Sequence, residues 1–234
     1  ARGSDAGFRF WLEWDYAGAI AAAKHAIELN SNHALAHFYL AHTLSNIGEH
    51  AEALSEIRRT LVLDPFSLLA NAMYGQFLYH AGRDAESLEQ LRKTLELEPR
   101  FWVAQICLAK TYERLGHHAQ ALDCCRNAWV FSSGNTEALS IAGHVHAMAG
   151  ERAEAEQKLN ELLARRKERY VPPYNIALVF AGLGDLDSAL QWLELAFADR
   201  DVRMNFLRDH KWNVLRSRRE FLALMRRVGL PESP

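Results

Sequence analysis

Residues 46–54 read Asn-Ile-Gly-Glu-His-Ala-Glu-Ala-Leu, and the same phrase returns four more times: HAGRDAESL at 80–88, RLGHHAQAL at 114–122, MAGERAEAE at 148–156 and GLGDLDSAL at 182–190. The central glycines, Gly48, Gly82, Gly116, Gly150 and Gly184, stand 34 residues apart without a slip. In a frame chosen in advance, four further hits have a chance probability on the order of 10⁻⁵ at this glycine frequency. Each phrase is a helix ending on glycine, which adopts the left-handed conformation that closes a C-terminus, followed at once by a new helix start. Five residues after each glycine comes a small side chain: Ala53, Ser87, Ala121, Ala155 and Ala189. Seven before it comes another: Ala41, Gly75, Ala109, Gly143 and Ala177. Small residues at one place on each helix let the two helices of a unit approach closely. In the second helix the apolar residues keep helical spacing, as in Leu54, Ile57 and Leu61. Pro65 and Pro99 end the second helix of the first two units.

A helix–turn–helix unit of this length, with these small positions, resembles the tetratricopeptide repeat. The Ala-x3-Phe…Pro stretch of that family reads here Ala53…Ile57…Pro65, Ser87…Leu91…Pro99, Ala121…Cys125 and Ala189…Leu193. The family's early tryptophan is absent, its place being taken by His37, Asn71, Gln105, Leu139 and Pro173. Full repeats are expected at 34–67, 68–101, 102–135, 136–169 and 170–203. Residues 1–33 form a partial repeat and residues 204–234 form C-terminal capping helices. The fold class the resemblance implies is an all-α, right-handed α-solenoid. Pro172-Pro173 predicts a late, short first helix in the last repeat. After the third repeat Ser132-Ser133-Gly134-Asn135 replaces the closing proline as a turn.

Composition narrows the function. Formal net charge is −2 and charged residues make up 24% of the chain, so nothing draws it as a whole to nucleic acid or an anionic membrane. The basic run Arg165–Arg169 reads as complement to a helix C-terminus. No apolar run is long enough to span a bilayer. Cys107, Cys124 and Cys125, odd in number and partly adjacent, do not make a disulfide framework and suit a reducing, cytoplasmic compartment. His33 and His37 share a helical spacing, but no carboxylate completes a metal site nearby, and no metal or cofactor is expected. No phosphate-binding loop is present. The Cys124, Cys125, His117 and His118 set follows the repeat pattern rather than a catalytic one, so no enzyme is expected.

The resemblance implies a binding groove lined by the first helix of each pair. Its ninth positions give a polar ladder of His42, Gln76, Lys110 and His144; its other lining positions include Leu35, Phe38, Leu69, Tyr79, Ile106, Glu113, Ser140 and Tyr174. One apolar and one polar track suit an extended or helical peptide with large apolar anchors. The asparagine ladder of the chaperone-binding members is missing. The aromatic start, Phe8, Trp11 and Trp14 above all, is expected either to pack on the first full repeat or to be covered by upstream sequence or by a second copy in a homodimer. Residues 171–201 and 212–231, with WLEWDYAGAIAAAKHAIELN at 11–30, further resemble arrays in bacterial signalling proteins, where they follow winged-helix, cyclase or kinase domains. That resemblance implies a regulatory, protein-binding role.

Overall fold

The computed structural model describes residues 3–231, which contain helices and turns and no strand. Expectations for residues 1–2 and 232–234, at the outer ends of the partial repeat and the capping region, lie outside the described residues. Two compact units are present. The first holds the chain up to Leu97 together with Asn205–Arg208 and the segment from Met225 onward; the second holds Glu98–Met204 and Asp209–Leu224.

In the first unit, α1 (Gly3–Phe8) runs into a π-helical turn, Arg9–Glu13, which Trp14 closes in the left-handed region at φ 58°. Asp15 then caps α2 (Tyr16–Leu29) by accepting from the Gly18 N–H at 2.9 Å, and it also accepts from Arg9 at 2.9 Å. Two helix pairs follow, α3 (Ala34–Ile47) with α4 (His50–Leu63), and α5 (Leu68–His80) with α6 (Asp84–Leu97). Gly48 turns α3 into α4 at φ +98°, a conformation an L side chain would strain.

The small positions are where helices of a pair touch. Ala41 and Ala53 are fully buried, and in the next pair the Ser87 hydroxyl donates to the Gly75 carbonyl at 2.8 Å. A Cβ on Gly75 would stand 2.5 Å from Leu91 Cγ. Gly75→Ala is therefore expected to cost up to about 2 kcal/mol: overpacking of about 1–3 kcal/mol is partly offset by the roughly 1 kcal/mol that alanine gains in a helix. Chemical denaturation checks it, and a stabilised variant would show that the pair has slack at this point.

In the second unit the pairs are α7 (Trp102–Arg114) with α8 (His118–Phe131), α9 (Thr136–Met148) with α10 (Arg152–Arg166), and α11 (Pro173–Gly182) with α12 (Leu186–Ala198). Between α8 and α9, Ser133 and Gly134 take positive φ and Asn135 caps α9 by accepting from the Glu137 N–H at 2.9 Å. Proline opens α11, which has only 10 residues. Leu139, Leu159, Leu162, Val171, Ile176 and Val179 form one continuous core here. Beyond α12 the chain makes two 3-10 turns, Val202–Phe206 and His210–Leu215, then α13 (Arg219–Val228). Leu215, Phe221 and Leu224 are fully buried, while Arg226 and Arg227 face solvent. The protein is thus an all-α solenoid of helix–turn–helix repeats.

Candidate functional site

The first helices of the pairs carry the residues expected to line a groove. In the first unit, α3 supplies Leu35, Phe38 and His42, and α5 supplies Leu69, Gln76 and Tyr79. Leu35 and Leu69 are 45% and 46% exposed, whereas Phe38, His42, Gln76 and Tyr79 are buried. What buries His42 is an aromatic set. Its ring centroid lies 4.9 Å from Phe10, 5.0 Å from Trp11, 5.4 Å from Phe77, 5.9 Å from Phe38 and 6.4 Å from Phe206. Neither imidazole nitrogen has a hydrogen-bond partner, and burial pushes the pKa of the ring down to about 3. His42 is therefore an uncharged ring in an apolar pocket. Gln76 approaches His80, which is hydrogen-bonded to Ser45 at 2.8 Å.

The aromatic start is buried only in part. Trp14 is buried, Trp11 is partly buried against His42 and Phe206, and Phe8 is 52% exposed. Tyr16 donates from its hydroxyl to Asn205 Oδ1 at 2.7 Å, which ties α2 to the segment 205–208 within the first unit. Trp14, 6% exposed, thus belongs to the interior and presents no open contact surface.

In the second unit the expected residues are Ile106, Lys110 and Glu113 on α7, Ser140 and His144 on α9, and Tyr174 on α11; all are buried. They join a network of paired charges. Lys110 Nζ donates to Glu137 Oε1 at 3.2 Å, and Arg203 lies 3.8 Å from Glu137 Oε2. Glu113 is hydrogen-bonded to His144 Nδ1. Ser140 donates to the Asn175 carbonyl at 2.7 Å. The Tyr174 hydroxyl accepts from Trp212 Nε1 at 2.8 Å, and its N–H donates to Asp201 at 3.3 Å. Lys211 Nζ donates to Asp209 at 2.9 Å with both groups buried.

Electrostatics follow from this pairing. Burial opposes ionisation of Glu113, Glu137 and Asp209, but contacts with neighbouring basic side chains outweigh it and hold all three carboxyls below their usual range: the His144 contact for Glu113, Lys110 for Glu137, Lys211 and the His210 hydrogen bond for Asp209. Asp201 goes the other way, since burial outweighs its contacts with Arg203. Burial raises the Cys107 thiol to about 12, and all three cysteines are buried and unbridged. Among the described residues no group of three or more His, Cys, Asp or Glu side chains is placed to hold a metal ion. Among them, too, no helix is long and apolar enough to cross a membrane.

Ten of the twelve expected lining residues are therefore covered, all but Leu35 and Leu69. The sequence-level reading missed Asp209 and Lys211, whose charges look like ordinary surface residues. The available signal was the Arg-Asp-His-Lys-Trp run at 208–212, a dense set of charges beside a tryptophan.

Comparison with known structures agrees with this architecture. PilW, a widely conserved type IV pilus biogenesis factor, superposes with TM-score 0.63 at 18% identity, covering 87% of this chain and 94% of its own. The tetratricopeptide-repeat protein TTC0263 of Thermus thermophilus gives TM-score 0.63 at 16% identity, covering 84% and 99%. MamA gives TM-score 0.54 at 22% identity, covering 73% and 96%. At these identities the likeness is one of fold. No curated protein matches the chain in sequence. Two tetratricopeptide-repeat family models do match, one over residues 22–55 and the other over 86–207, just over half of the 234 residues. On its period, its helix pairs and these matches, the chain belongs to the tetratricopeptide repeat family.

Proposed function

We propose that the chain is a protein-interaction scaffold that receives a partner peptide or domain on the inner face of its first helices. In the first unit that face is Leu35, Phe38, His42, Leu69, Gln76 and Tyr79; in the second it is Ile106, Lys110, Glu113, Ser140, His144 and Tyr174. The observation that carries the reading is the aromatic set on His42. Phe10, Trp11 and Phe206 come from outside the five helix pairs, so this face accepts aromatic side chains delivered by short segments. A partner with aromatic anchors would take over part of that contact, entering past the exposed Leu35 and Leu69. Tetratricopeptide repeats are interaction scaffolds as a family. The finer role, the regulatory part of a bacterial signalling or transcription-regulating protein working in the cytoplasm, is supported by the resemblance of residues 171–201 and 212–231 to such arrays.

A photo-crosslinker placed at Leu69 should capture a partner in cells, while the same group at Glu89 on the exposed outer helix should not. Equal capture at both positions, or capture at Glu89 alone, would sink the inner-face reading. The exposure of Phe8 and Leu12 favours one alternative, a homodimer through the aromatic N-terminal end with Phe8 and Trp11 in contact. In that case the solution mass doubles with concentration, and Phe8→Asp returns it to the monomer.

A further inference from the structure

One cavity of the second unit, beside Gly182, has on its wall Glu113, His144 and Lys211, whose polar groups already pair with one another or with Asp209. A second, of about 270 Å³, is of another kind. It opens between α8, α9 and α10, and Leu122, Cys125, Trp129, Ala138, Leu139 and Ala142 give it an apolar wall.

The repeat explains why space exists here. At 34-residue intervals from Ala142 stand Leu40, Tyr74, Leu108 and Ile176, all of them large. Leu40, Leu108 and Ile176 are buried. Cys125, on the facing helix, stands in series with Ile57, Leu91, Leu159 and Leu193, which are buried too. Two side chains are thus cut back at one place, and volume that the other repeats fill for themselves is left open. Beside this gap Trp129 is larger than its counterparts Leu61, Leu95 and Leu163, and the Arg165 guanidinium lies 4.6 Å from the centre of its ring. Atoms lining a void forgo the contacts that a close-packed interior makes, so a guest of the right shape gains them.

The rim sets the charge of the guest. Glu161 is bound by Arg165 at 2.8 Å, Arg126 by Asp123 at 2.8 Å, and His146 by Glu151 at 2.6 Å. Lys158 lays its stem against Gly143, where an added Cβ would stand 3.1 Å from Lys158 Cβ. A charged guest would find these partners engaged, whereas a neutral one asks nothing of them. The indole of Trp129 and the sulfur of Cys125 both make favourable contacts with an aromatic ring. An apolar cavity of about 150 Å³ is enough for benzene, so this one has room for a second fused ring. None of the exposed large apolar residues of the described chain lies on its lining. The apolar surface therefore stops at the mouth, which suits a small molecule rather than the broad face of a protein.

We propose that this cavity binds a neutral aromatic molecule of one or two fused rings, seated between Trp129, Cys125 and Ala142 where the array elsewhere places leucine or isoleucine. The site needs no protein partner and stands apart from the scaffold reading.

The test is an NMR titration of the purified, isotope-labelled chain with indole. The amides of Ala138 and Ala142 and the side-chain N–H of Trp129 should shift together and saturate, with a dissociation constant of about a millimolar, the range expected for so few atoms. Indoleacetate and tryptamine, charged relatives of the same ring system, should bind no more tightly. Ala142→Leu and, separately, Cys125→Leu supply the leucine that the series carries at Leu108 and Leu91. Each should weaken indole about tenfold or more while keeping or raising the melting temperature, because it fills space already present. If one variant does not fold, the other decides; failure of both to fold would mean that the space is closed to a side chain and would overturn the proposal. So would the absence of saturable shifts at indole concentrations on the order of 10 mM, a tenfold preference for either charged relative, or indole affinity unchanged in a folded leucine variant. None of these results would alter crosslinking at Leu69, so the two readings fail separately.

Discussion

Trp212→Ala should destabilise the second unit by about 3–5 kcal/mol, the usual cost of removing a buried tryptophan. Trp212 is fully buried and heads the chain's largest buried side chains. Its ring meets Tyr174 edge-on at 5.1 Å and lies 6.4 Å from Phe221. Truncation would remove that apolar contact, leave a void that neighbouring helices fill only in part, and strand the Tyr174 hydroxyl, which accepts from Trp212 Nε1 at 2.8 Å. Trp212→Phe separates the contributions, because it keeps most of the packing and loses mainly the hydrogen bond, at a cost of about 1 kcal/mol. A chain of two units can unfold in more than one step, so amide hydrogen exchange in α11 is the better measurement. Protection there should fall by about 100-fold or more in Trp212→Ala. An Ala variant no worse than the Phe variant would mean that the hydrogen bond, not the packing, holds this segment.

The first unit should weaken on acidification well before its carboxylates titrate, and His42 should be the main cause. The folded ring has its pKa lowered to about 3 by burial, against about 6.5 in an unfolded chain. Below about 6.5 the unfolded chain takes up a proton that the native ring refuses, so stability is complete above that pH and is lost as pH falls towards 3. The loss from this one residue is about 2 kcal/mol at pH 5 and about 3 kcal/mol at pH 4. His42→Leu should remove that share of the slope and leave stability at pH 7 equal or higher, since the native imidazole is buried with no hydrogen bond to lose. His50, lowered by burial and then by Arg208, acts in the same direction, so a shallower slope should persist in the variant. The second unit should behave differently. Glu113, Glu137 and Asp209 have lowered pKa values, so their contribution holds above the usual carboxylate range and is lost only as pH falls below about 4. Exchange in α3 and in α9, followed from pH 7 to 4, distinguishes the two. A parallel decline in wild type and His42→Leu would show that the ring is protonated without cost.

The cavity beside Gly182 and the inner face differ in how far the sequence could reveal them. The repeat places His144 and Glu113 at lining positions, so their shared face was legible. The cavity was not, because Gly182 looks like any residue near a helix end and Val214 lies outside the repeat. Likewise, the ninth-position ladder of His42, Gln76, Lys110 and His144 was readable as a polar track. That Phe10, Trp11 and Phe206 would lie on its first member was not.

Sequence alone determined the repeat: where glycine must take positive φ, where small residues let helices touch, and hence an all-α array of helix pairs. Those are local requirements, each met within a few residues and repeated every 34. Only tertiary structure decided which lining residues are covered. Tyr16 and Asn205, joined by one hydrogen bond, are 189 residues apart, and Trp11 meets Phe206 across a similar length of chain. Such contacts depend on where the chain's end returns after all its helices have packed, and no period along the chain encodes that return.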